Sequence, residues 1–156
     1  MNSDSALLRA MARYMISTGS EATRWKNEML KILNAPAPEP AFSGDFKADA
    51  ERVLMCIGTP THLIGFRYCV EAIAIVAENH TERKKMSAIC SEIGKANNAS
   101  SESVRIAIRN LCETVFNRAT TEVLVKYFGD AIDWDTGKIS MPDFVYRLAA
   151  YIRRRV

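Results

Sequence analysis

The sequence predicts an all-α protein: a compact helical domain of about six helices containing a helix-turn-helix, preceded by a short N-terminal helical segment. Three observations carry this. Residues 89–118 hold two stretches of helical apolar periodicity joined by Asn97-Asn98-Ala99-Ser100, a turn of the length a helix-turn-helix uses. Residues 70–77 are almost wholly apolar inside a segment of helical length, as expected of a central core helix. Helix-opening residues, Thr120 or Thr121 and then Met141-Pro142, stand ahead of the last two amphipathic stretches.

At the N-terminus, residues 5–17 are expected to form a short helix with Leu7, Leu8, Met11, Met15 and Ile16 on one side, broken at Thr18-Gly19-Ser20. Ser20 is a cap for a second helix over 21–33, where Trp25, Met29 and Leu33 recur every four residues. Two such helices cannot hide both apolar faces alone. They are expected to pack within the chain, to form a homodimer, or to dock a different protein. Residues 34–45 read as a linker, because Pro36, Pro38 and Pro40 exclude a regular helix and favour extended polyproline geometry.

The main domain is expected over 46–156. Its first helix, over 46–57, turns Val53, Leu54 and Ile57 inward and ends at Gly58-Thr59-Pro60. Thr61 is the candidate cap of the next helix, which runs to about Glu78. The first helix of the helix-turn-helix should end near Ala96, with Asn97 and Asn98 suited to the left-handed conformation of a helix end. Gly94 is small where the two helices must approach. Ser100 or Ser101 caps the second helix, whose apolar face is Val104, Ala107, Ile108, Leu111 and Val115.

The opposite face of that helix carries Glu102, Arg105, Ile106, Arg109 and Glu113, with Asn110 at its edge. Arg pairs bidentately with guanine, Asn with adenine, and an aliphatic group touches the thymine methyl, so this is the content of a helix that reads the major groove. The competing reading is an ordinary helical hairpin in which another element covers Ile106. Ser100, Ser101, Arg118 and the basic run Arg83-Lys84-Lys85 are the phosphate-positioning candidates, although a charge run is equally a solvated face. His62 is open between a structural residue and a ligand. After this helix, a short one ends near Tyr127-Phe128-Gly129. Residues 133–140 briefly resemble a calcium loop, but with Gly137 at loop position 6 the aspartates fall out of register and Ile132 takes position 1, so no metal is expected. The last helix turns Phe144, Leu148 and Tyr151 or Ile152 inward and ends in Arg153-Arg154-Arg155.

Composition excludes several classes. The chain is 48% hydrophobic and 25% charged, an ordinary globular balance. The formal net charge of +3 is modest for a nucleic-acid binder, but residues 1–45 carry equal numbers of acids and bases, so all the excess lies in 46–156. No signal peptide and no membrane span are expected, and a cytoplasmic location follows as the default. Cys69, Cys90 and Cys112 fall in apolar helical patterns and read as buried free thiols; Cys56 completes the four, with no Cys-x-x-Cys pair. There is no phosphate loop, nucleophile elbow or paired-His motif, and with two histidines an enzyme is not expected. No cofactor is implied.

The run Ile57-Gly58-Thr59-Pro60-Thr61-His62-Leu63-Ile64-Gly65-Phe66-Arg67-Tyr68, followed by Glu71-Ala72-Ile73, resembles the Gly-Thr-Pro-x-His-x-x-Gly-aromatic-x-Tyr run of the C-terminal DNA-binding effector domain of the stage-zero sporulation protein A family. Val104, Ala107, Ile108, Arg109, Glu113, Arg118 and Gly137-Lys138 are also similar to the family, and the resemblance covers residues 46–156. It implies binding to double-stranded DNA as tandem or paired copies, contact with RNA polymerase, and a position for His62 in a loop near DNA. Two departures matter. The family has a receiver domain, and 45 residues are too few for one, so a receiver-less form is expected. The family also has Glu and Arg where this chain has Arg105 and Ile106, and His where it has Asn110, so its operator does not carry over. Two functions follow: a sequence-specific DNA-binding regulator, or a protein-interaction module, antagonist or adaptor, that kept the fold and lost the readout.

Overall fold

The computed structural model describes residues 22–24, 26, 27, 30, 40–79, 81–133 and 135–156. The chain divides into two units, Met1–Glu39 and Pro40–Val156. In the first, residues 22–24, 26, 27 and 30 are helical. The expected helix over 5–17, the rest of the one over 21–33, and residues 34–39 of the proline stretch lie outside the described residues. The second unit is all-α: six α-helices and one 3-10 turn, with no strand among the described residues.

Asp45 opens α1 (Phe46–Ile57), its carboxylate accepting from the N–H groups of Lys47 and Ala48 at 3.1 and 3.4 Å. Gly58 closes it in the left-handed conformation at φ 88°, which a side chain would resist. One turn inside, Asp49 is 0% exposed. Its carboxylate accepts from the Ser43 N–H and hydroxyl, the Gly44 N–H and the Arg52 guanidinium, all within 2.9–3.0 Å. A buried charge is tolerable only with such saturation. Ser43 and Gly44, from the sequence-defined linker, are thereby fastened to α1.

The next helix, α2 (Ile64–Glu78), starts two residues later than a cap at Thr61 would place it. Thr61 does not cap it. Residues 61–63 form a turn, Leu63 takes the cap position without a side-chain hydrogen bond, and Thr61 lies too far upstream to reach the first-turn N–H groups. Buried residues ring this helix, from Gly65, Phe66 and Cys69 to Ala72, Ile73 and Ala77. It packs against α1 and against α3 (Met86–Ala96), α4 (Ser101–Arg118) and α6 (Met141–Arg153). Between α4 and α6 come α5 (Thr121–Phe128) and the 3-10 turn Gly129–Ala131. Ser100, Thr120 and Ser140 cap α4, α5 and α6 by accepting from the N–H three residues on, each contributing about 1 kcal/mol.

Phe116 of α4 meets Phe128 of α5 at 5.6 Å between centroids, and Phe128 stacks on Phe144 of α6 at 5.0 Å. This cluster ties the C-terminal half of α4 to the rest of the core. Both Tyr151 and Ile152 face inward. Cys69, Cys90 and Cys112 are buried free thiols and Cys56 is an exposed one. Burial pushes all three buried thiols above their ordinary range, so they are protonated at neutral pH.

At Gly65, α2 approaches the backbone of α4 closely. A Cβ there would lie 2.4 Å from the Ala107 carbonyl oxygen of α4 and 3.0 Å from its carbonyl carbon. Both are backbone atoms, so the obstruction cannot rotate away. Gly65→Ala should therefore force α2 and α4 apart and destabilise the fold by about 1–3 kcal/mol, as overpacking does. Urea unfolding measures this; an unchanged midpoint would show that the two helices do not need this closeness.

Candidate nucleic-acid interface

The helix-turn-helix is built from α3, the turn at residues 97–100, and α4. Asn97 ends α3 with its N–H on the Ile93 and Gly94 carbonyls. Asn98 then takes φ 53°, the left-handed conformation that Asn tolerates better than most residues. Gly94 serves the turn rather than a helix crossing: a Cβ on it would lie 2.5 Å from the Ala99 carbonyl oxygen, and the Ala99 N–H donates to the Gly94 carbonyl at 2.9 Å. The Asn97 amide donates to the Glu71 carboxylate of α2 at 3.1 Å and to the Ile93 carbonyl at 2.8 Å. The turn that aims α4 is thus anchored to the central helix.

Val104, Ile108, Leu111, Cys112 and Val115 bury the inner face of α4, with Ala107 half-buried against Gly65. The outer face is open. Glu102, Ile106, Arg109, Asn110 and Glu113 are exposed and Arg105 is half-exposed. Ile106 is 37% exposed, so no described element covers it. Ser100 spends its hydroxyl on the cap and on Ser103, while Ser101 is exposed at the first helical position. A helix N-terminus with free N–H groups suits a phosphate.

Arg105 donates from Nε to Glu102 Oε2 at 2.9 Å and from Nη2 to Oε1. This hydrogen bonding holds the Glu102 carboxyl below the usual carboxylate range and raises the Arg105 guanidinium. Arg109 and Glu113 border a groove completed by Asn117, Lys138 and Ser140. Lys138 reaches it because the Asp133 and Lys138 backbones pair, with the Asp133 N–H on the Lys138 carbonyl at 2.8 Å, and Gly137 turns at φ 68°. The residues Asp135-Thr136-Gly137-Lys138 are the sequence signal for this turn, while the role of Lys138 beside Arg109 depends on the fold. Within that hairpin Asp133 accepts from the Asp135 N–H. Among the described residues no group of three His, Cys, Asp or Glu is placed to hold a metal ion.

The other candidates lie apart. Arg118, in the last turn of α4, is about 25 Å along the axis from Ser101 at the usual helical rise. His62 is exposed in the turn before α2, three residues ahead of the Gly65 contact with α4. The basic run just before α3 is partly engaged. Arg83 stacks on the Tyr146 ring of α6 at 4.2 Å, Lys84 pairs with Glu92 at 3.0 Å, and Lys85 occupies the N-cap position of α3, exposed.

Glu71→Ala would leave the Asn97 amide without its acceptor on α2, costing about 1.5–3 kcal/mol for a hydrogen bond to a charged partner. Amide exchange at residues 97–100 should quicken relative to α1 and α6. Unaltered exchange in the turn would show that Glu71 does not hold it.

A family model described as "Sporulation initiation factor Spo0A C terminal" matches residues 50–152, from within α1 to near the end of α6.

Proposed function

Since the chain belongs to the sporulation initiation factor Spo0A C-terminal family, a family of DNA-binding transcription regulation in sporulation, we propose that it is a sequence-specific regulator that reads the major groove of double-stranded DNA with α4. The single observation that carries the reading is the outer face of α4. It presents two guanidinium groups, an amide and an exposed Ile on a rigid helix whose other face is anchored in the core. An aliphatic group at that place on the face can touch a thymine methyl.

In this reading the N-terminal half of α4 enters the groove and α3 bridges the backbone. Arg105, Ile106, Arg109 and Asn110 face base edges. Ser101, Lys85, His62 and Arg118 take phosphates, and Lys138 joins them from its hairpin beside Arg109. Arg83 and Lys84 reach DNA only by leaving Tyr146 and Glu92. Residues 1–33 offer a place for self-association or for a protein partner, RNA polymerase is a further partner, and the protein works in the cytoplasm. Among the described residues no helix is long and apolar enough to cross a membrane. The weak net charge favours affinity that rests on base contacts more than on counterion release.

Fluorescence anisotropy against a randomised duplex pool, at two salt concentrations, tests this. One sequence class should be enriched, and Arg109→Ala should weaken binding to it by about 1–3 kcal/mol, the worth of a bidentate arginine–guanine pair. If the pool yields no preferred sequence, the protein-interaction reading replaces this one.

A further inference from the structure

The geometry points to Glu102 as a positioning residue for Arg105: its carboxylate holds one edge of the guanidinium and leaves the opposite fork free for a guanine. The inference rests on α4 being the reading helix and assigns specificity within it. A guanidinium has five N–H groups in a fixed plane. The Glu102 carboxylate takes the Nε–H and one Nη2–H. The two outward N–H groups that remain, one on Nη1 and one on Nη2, are parallel and match the O6 and N7 acceptors of guanine in the major groove.

Two features distinguish this pair from an incidental surface ion pair. It is bidentate, which fixes orientation as well as proximity. It lies in the first turns of α4, the part of a reading helix that approaches base edges. An unrestrained arginine would lose more side-chain freedom on pairing with a base and would equally well reach for the nearest phosphate. Glu102 therefore contributes discrimination rather than raw affinity.

The test uses the full chain, first to select a preferred duplex from a random pool, then to titrate duplexes carrying each single base-pair change. Wild type, Glu102→Gln, Arg105→Ala and the double variant are compared, with far-ultraviolet circular dichroism confirming equal helix content. One G·C pair should matter to wild type and not to Arg105→Ala. Glu102→Gln should lose roughly fivefold or more of the preference at that same pair, within the range a bidentate contact supplies, while its affinity for random duplex stays level or rises. The double variant should match Arg105→Ala. Full retention of the guanine preference by Glu102→Gln would overturn the inference. So would an equal shift on every duplex, the signature of charge alone, or a loss at a pair that Arg105 does not read. If wild type itself selects no duplex, the reading-helix proposal falls and this inference with it; if wild type selects one and Glu102→Gln is unchanged, only this inference falls.

Discussion

The close approach of α2 to α4 at Gly65 is the constraint on which the rest of the structure depends. Because no Cβ fits between Gly65 and the Ala107 carbonyl, the two helices lie backbone to backbone, and the inner face of α4 is fixed against the most buried element of the unit. Two further ties complete the frame. Glu71, two turns along α2, holds the turn through Asn97, and the Phe116–Phe128–Phe144 cluster holds the far half of α4. A helix fastened near its start, middle and end presents its outer residues with little freedom, which is what geometric recognition of base edges requires.

The surface so presented is mixed rather than basic. Glu102 and Glu113 interleave with Arg105 and Arg109, and several nearby cations are already engaged within the protein: Arg105 with Glu102, Lys84 with Glu92, Arg83 with Tyr146. Such a surface attracts a phosphate backbone weakly and rewards a matching set of base edges. The chemistry elsewhere is quiet. The three buried thiols are protonated, and Asp49, the fully buried carboxylate, spends its acceptors on residues 43, 44 and 52. These groups stabilise the frame; the exposed face of α4 is where a ligand can be met.

Much of this was legible in the sequence because it follows from period and punctuation. The apolar face of α4, the Ser100 cap, the left-handed Asn98 and the helix-ending Gly58 are local consequences of residue type. What the sequence hid is what depends on through-space partners. Thr61 has the chemistry of a cap, yet the turn after Pro60 continues to Leu63 and leaves it upstream of the helix. Gly65 read as one residue of a family run, and only the crossing of α2 over Ala107 shows why no larger residue serves. Asp49 is buried because Ser43 and Gly44 fold back onto its carboxylate, which no local pattern encodes. Arg83 and Lys84 formed a basic run in one dimension, but Tyr146 and Glu92 claim them in three. The outer face of α4 follows from helical period, whereas the Glu102–Arg105 pairing needs rotamers that no periodicity encodes.

The most direct test of the claim that α4 is the reader is to map amide chemical-shift changes as the selected duplex is added to the protein. If α4 reads the duplex, the largest changes fall over residues 100–110, smaller ones at Lys85, His62 and Lys138, and little at the buried end of α6. Changes concentrated on α6 and the loop at 82–84, with α4 unmoved, would contradict it.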